Sequence, residues 1–157
     1  MDSNSKPLGH SDDSAFSFVR EMLKGQNNYG INLDRLMYLK SENKFIIFEF
    51  QKCEERQSER GITPHTSHPI NYWNRCWRKY ESIWRVIQKL EAKFYVINYA
   101  ETGTKHEKEI RVILVEGVSE AGMIFKTREW TRCEFSVWFQ TLNDRCGKEG
   151  ERDASKI

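Results

Sequence analysis

The sequence predicts an α/β (α+β) fold, a mixed central sheet flanked by helices. Three observations carry that expectation. Residues 71–92 place Trp73, Cys76, Trp77, Tyr80, Trp84, Ile87 and Leu90 on one broad apolar stripe at helical spacing. Residues 45–51, Phe-Ile-Ile-Phe-Glu-Phe-Gln, are apolar on both sides of an extended chain, the pattern of a strand covered on both faces. The segments run helix, hairpin, helix, strand, further strand pair, helix, an order that suits one mixed sheet with helices against it.

The first helix is expected from Ser14 to Lys24. Ser14 can cap it, Ala15, Phe16, Phe18, Val19, Met22 and Leu23 supply apolar positions, and Gly25 with Asn27-Asn28 stops it. Two extended runs follow, 31–39 and 45–51, joined by the turn-like Ser41-Glu42-Asn43-Lys44, and read as an antiparallel hairpin. Residues 54–68 are polar, contain Gly61 and Pro64, and read as a long loop. Pro69 suits the start of the helix over 71–92. Strands are expected over 93–99, 109–118 and 123–126, and a last amphipathic helix over 133–142.

A chain of 157 residues fits one domain, placed at 15–145 between polar tails, 1–14 and 146–157, expected to be disordered. Aromatics are 13% of the chain, with five Trp and nine Phe, which is enough for a real core. The net charge of +2 balances 25 basic against 23 acidic residues, so an anion-binding role must rest on how charges are arranged. Cys53, Cys76, Cys133 and Cys146 form no C-x-x-C pair and read as free thiols of a reducing compartment. No apolar run reaches signal-peptide or membrane-spanning length, so a soluble cytoplasmic protein without a membrane partner is expected. His65 and His68, with Cys53 and Cys76 on either side, fit no ordinary zinc spacing. The chain has no G-x-x-x-x-G-K-[ST] loop, no G-x-S-x-G elbow and no H-E-x-x-H helix.

The chemistry centres on Asp34, Glu49 and Gln51. An ionised carboxylate inside Ile46-Ile47-Phe48-Glu49-Phe50 costs several kcal/mol unless a cation, donor or metal partners it. In an antiparallel hairpin, facing residues have numbers with a constant sum. A turn centred on Ser41-Glu42 pairs 34 with 49, and one centred on Glu42-Asn43 pairs 34 with 51. Either register sets Asp34 on the face of Glu49 and Gln51, with opposed Cβ atoms about 4.5–5.5 Å apart. Two acids so close suit a divalent cation with oxygen ligands.

Gly30-Ile31-Asn32-Leu33-Asp34, a gap, then a hydrophobic residue, Glu49, one residue and Gln51 resembles the signature of the PD-(D/E)xK nucleases. The resemblance covers about residues 16–99 and implies a restriction-endonuclease-like αβ core. It implies that Asp34 and Glu49 hold Mg2+ or Mn2+, supported by Glu21 of the preceding helix, for hydrolysis of DNA phosphodiester bonds. The third motif residue, usually Lys, is Gln51 here. Lys52 alternates to the other face of its strand, whereas Lys79 flanks the Trp73/Trp77/Tyr80 stripe and is placed to lean over the sheet edge. The family usually has a strand before the Asp strand, and residues 26–29 are too short and polar to supply a good one. The implied catalytic set is therefore Asp34, Glu49, Gln51 and Lys79. Arg75, Arg78, Lys79, Arg85 and Lys89 on the outer helix face, with Lys52, form a candidate DNA contact row. A homodimer would suit a nuclease that cuts both strands. The rival readings are a catalytically degenerate nuclease fold that binds nucleic acid or a protein, and an interaction domain that exposes its tryptophans.

Overall fold

The computed structural model describes residues 14–147. The chain divides into two compact units, Met1–Gly30 and Ile31–Ile157. Of the expected tails, residues 1–13 and 148–157 lie outside the described residues, as does the Ser14 side chain proposed as a cap. Cys146 and Gly147, expected in the tail, are instead the last residues of a helix. In the first unit α1 (Ser14–Leu23) ends where Lys24 and Gly25 take left-handed backbone angles. Its Phe16, Phe18, Val19 and Met22 are exposed.

The second unit is a five-stranded mixed sheet in the order β1-β2-β3-β4-β5. Its strands are β1 (Arg35–Leu39), β2 (Lys44–Cys53), β3 (Lys93–Ala100), β4 (Glu109–Ser119) and β5 (Gly122–Thr131). Only β2 and β3 pair in parallel; the other three pairings are antiparallel. The parallel pair needs a crossover. It runs through a short helix α2 (Glu55–Ser58), a 3-10 turn Pro69–Tyr72 and the long helix α3 (Trp73–Leu90). A last helix, α4 (Arg132–Gly147), follows β5.

The two-faced pattern of β2 is realised as two cores. Ile47 joins Phe94, Val96, Ile113 and Val115 under Tyr80, Ile83 and Ile87 of α3. Ile46 and Phe48 join Met37, Ile97, Ile110 and Val112 on the other face, where Leu142, Trp138 and Phe139 of α4 cover them. All five tryptophans are buried or half-buried, which leaves the exposed-tryptophan reading without its surface.

Several expected boundaries move, each for a local reason. The first strand begins at Arg35 rather than 31, because the Asp34 carboxylate accepts the Phe50 amide at 2.8 Å and ends the main-chain ladder. Residues 71–92 shorten to α3 because Glu91 adopts a left-handed cap at φ 49°. The last helix lengthens at both ends. Thr131 and Glu134 form a capping box: the Thr131 hydroxyl accepts the Glu134 amide at 3.2 Å, and the Glu134 carboxylate accepts the Thr131 amide at 2.7 Å. At its far end Arg145 pairs with Glu42 of the β1–β2 turn. The third late strand runs to Thr131 instead of 126. It is an edge strand with residues 124–129 exposed, so no inward apolar period announced it.

Residues 54–68 form no slack loop. Glu54 and Gln57 cap α2 reciprocally, and Asn98 of β3 donates to the Ser67 carbonyl at 2.6 Å. Arg111 of β4 donates to the same carbonyl at 3.1 Å. His68 closes the segment: its Nδ1 accepts the Ile70 amide at 3.1 Å and its ring lies 4.1 Å from Phe125. Burial, helped by Arg111, pushes its pKa from 6.5 down to about 4. The unfolded chain therefore binds this proton before the folded chain does. Stability is full above 6.5 and is lost as pH falls through that window. Replacing His68→Asn keeps an acceptor for Ile70 and removes the titration. Urea midpoints at about pH 7 and about pH 4.5 should show roughly 2–3 kcal/mol less acid loss in the variant. Equal losses in both proteins would refute the assignment.

Candidate functional site

The hairpin register is the one with sum 83: Arg35 faces Phe48 and Leu36 faces Ile47. The pairing ends there; Asp34 is the next residue, just outside β1, and its charge is near enough to Glu49 to raise the Glu49 pKa. The Asp34 side chain is held by its hydrogen bond to the Phe50 amide. Its residue is exposed, whereas Glu49 is only 1% exposed.

The partner that Glu49 requires is Lys79. Its Nζ forms an ion pair with Glu49 Oε2, and it reaches there from the border of the α3 stripe, one residue before the fully buried Tyr80. The lysine side chain is 54% exposed, so one end of this pair is solvated and the other is not. Both Glu49 oxygens are buried; Oε2 takes the lysine, and the Asp34 main chain adds a hydrogen bond to the carboxylate. Burial raises the Glu49 pKa above the ordinary carboxylate value; Lys79 pulls it down, the charge of Asp34 pushes it up again, and the hydrogen bond from the Asp34 main chain lowers it slightly.

Gln51 is committed elsewhere. Its Nε2 donates to the Tyr80 hydroxyl, and its Oε1 accepts from the Tyr72 hydroxyl at 3.0 Å. A lysine ammonium at 51 could donate to both tyrosines but accept from neither, so the amide suits this bridge. Tyr80 is in turn stacked on Trp73 at 5.6 Å between ring centroids. Tyr72 and Tyr80 thus belong to the site, though the sequence reading placed Tyr80 only in the core stripe and gave Tyr72 no role. Buried Asn98, next to Gln51 in the β2–β3 register, was missed as well. A polar residue inside Phe-Tyr-Val-Ile-Asn-Tyr carries the signal that singled out Glu49.

The remaining candidates are placed as follows. Glu21 lies on α1 in the first unit, and Asp34 with Glu49 is the acid pair the second unit assembles. Arg75, Arg78 and Lys89 are exposed on α3, with the Arg78 guanidinium 5.5 Å from the Trp77 ring. Arg85 pairs with Glu81 at 3.3 Å. Lys52 pairs with Glu54 at 3.3 Å and Glu101 at 3.6 Å, so its charge is already answered.

Among the described residues no group of three or more His, Cys, Asp or Glu is gathered as a metal site. Magnesium nevertheless binds through one or two carboxylates, keeping waters and taking phosphate oxygens. Asp34 and Glu49, close enough for the charge of one to raise the pKa of the other, are the acid pair such an ion would take.

The fold and site define a class: an αβα domain whose edge hairpin presents an acid pair, with a lysine delivered from the crossover helix. No protein-family model, curated protein or solved structure matches the chain.

Proposed function

We propose that the second unit is a metal-dependent endonuclease-like domain, related in design to the PD-(D/E)xK nucleases, that hydrolyses DNA phosphodiester bonds. The observation that carries this reading is the nearness of Asp34 to the buried Glu49, whose pKa its charge raises, with Lys79 seated on Glu49. The two carboxylates would hold Mg2+ or Mn2+. Such an ion, when bound, polarises a phosphoryl oxygen and lowers the pKa of water. Lys79 favours the ionised form of the buried carboxylate against the effect of burial, and its half-exposed ammonium would then face the phosphate charge. This lysine supplies the cation that Gln51 cannot. Arg75 and Arg78 stand within a turn of Lys79 on α3 and suit an approaching phosphate backbone. Glu21 enters as a supporting ligand through the resemblance alone.

The test is nicking of supercoiled plasmid by the full chain with Mg2+ or Mn2+, alongside thermal melting. A ligand that binds only the folded state stabilises it, by about 2.7 kcal/mol at a hundredfold excess over Kd. Mg2+ should raise the melting temperature of wild type and not of Asp34→Ala. A melting curve indifferent to both ions, with no nicking, would remove the proposal; Glu21→Ala in the same assay tests the supporting ligand.

One observation favours a second reading, a degenerate nuclease fold that binds nucleic acid or a protein partner without cleaving. The Lys79–Glu49 pair already compensates the buried charge without a metal. Retained DNA binding with no cleavage under either ion would select it.

A further inference from the structure

Beside the acid pair lies a cavity of about 420 Å3, between the end of β2, the segment after α2 and the 3-10 turn before α3. Gln51, Gln57, Ile62, Thr66, Asn71 and Tyr72 line it. Two of these, Gln51 and Tyr72, also belong to the hydrogen-bonded bridge next to Glu49. The cavity therefore opens within one side chain of the proposed reacting centre.

Its chemistry is neutral. No carboxylate lines it, and the one cationic residue in the wall, Lys52, is paired with Glu54 and Glu101. A phosphate would find no free cation there. What the walls offer is an aromatic residue at Tyr72, an apolar side chain at Ile62 and an amide at Asn71; the Thr66 hydroxyl is already held by the Gly61 carbonyl and the Thr63 amide. The Asn71 side chain is exposed. A nucleobase needs the same set: a π-face to stack on and groups to meet its hydrogen-bonding edge. The volume is that of a site for a single small ligand.

We infer that this cavity receives one unpaired nucleotide base next to the scissile phosphate, so the substrate class of the site is single-stranded DNA or a duplex with an unpaired end. The inference rests on the nuclease reading for its ligand class and deepens it. It gives Gln51 a role distinct from that of the motif lysine. The amide, locked between two tyrosines, holds Tyr72 as the wall shared by cavity and acid pair.

The experiment is equilibrium binding of a fluorescent single-stranded DNA 12-mer and of its blunt duplex to the full chain, in calcium without magnesium, so that affinity is read without turnover. The Ile62→Trp variant fills the cavity from an exposed position and touches neither acid. The Asn71→Ala variant removes an exposed amide and leaves the fold intact if the bulkier change does not. Wild type should prefer the single strand by about tenfold or more, the scale of one stacked base, and both variants should lose most of that preference with duplex affinity unchanged. A duplex bound as tightly as the single strand, or variants that bind like wild type, would overturn the inference. Cleavage with Mg2+ is scored separately. Variant-sensitive single-strand binding without cleavage keeps the cavity and ends the nuclease reading. Asp34-dependent cleavage of duplex with both variants inert does the reverse.

Discussion

Substituting Asp34→Ala or Glu49→Gln should reduce magnesium-dependent plasmid nicking by at least about a hundredfold, the scale at which one electrostatic stabiliser of a transition state is felt. The Glu49 variant carries a second signature that separates chemistry from folding. Glu49 is 1% exposed, and its carboxyl pKa is raised by burial. Below the unfolded carboxyl pKa both states are protonated and nothing is lost. As pH rises from there through the folded pKa, the folded state retains protons that the unfolded state has released, so stability falls. The Glu49→Gln variant removes that penalty. At neutral pH it should melt no lower than wild type, and its stability should be flatter across the weakly acidic range, while nicking is lost. Inactivity caused by misfolding would show the opposite, a lower melting temperature. Undiminished nicking in both Asp34→Ala and Glu49→Gln would reject the site.

The second large effect is expected at Lys79. Replacing Lys79→Met keeps the apolar stem and leaves Glu49 buried without its cation. Breaking a fully buried pair costs about 3–5 kcal/mol. Here the lysine side chain is 54% exposed, so solvent screening cuts the expected loss to about 1–2 kcal/mol. Glu49 should take up its proton more readily in this variant, since the lysine's lowering influence is gone. Nicking should fall about a hundredfold as well, because no other lysine is paired with Glu49 among the described residues. A double-mutant cycle assigns the stability loss: in the Glu49→Gln background Lys79→Met should cost little, giving a coupling energy near the single-variant loss. A loss of the same size in both backgrounds would place the lysine's contribution elsewhere on α3.

Part of the site was legible because hairpins obey arithmetic. Alternation and a short turn leave two registers, both of which set Asp34 on the face of Glu49, and the observed pairing is the one with sum 83. The position of Lys79 was legible too, since helical spacing sets it at the flank of the stripe ending in Tyr80. What resisted was the pairing of side chains that are remote in sequence. Nothing in residues 69–72 announces that Tyr72 will bridge to Gln51, 21 positions earlier. The ordering of residues 54–68 was hidden for a related reason. Those residues carry few apolar side chains, and they are held by Asn98 and Arg111, which donate from strands formed later in the chain.

Local periodicity by itself determined the α3 stripe, the two-faced β2, the β1–β2 hairpin and the mixed class of the fold, because burial of one face must repeat at the period of its backbone. Tertiary structure alone decided the parallel union of β2 with β3, the reach of β5 to Thr131 and the partner of the buried Glu49. Those outcomes depend on main-chain hydrogen bonds and on charges meeting across elements. Neither leaves a period in the sequence, and each is settled only when distant strands and helices are brought within a few ångströms of one another.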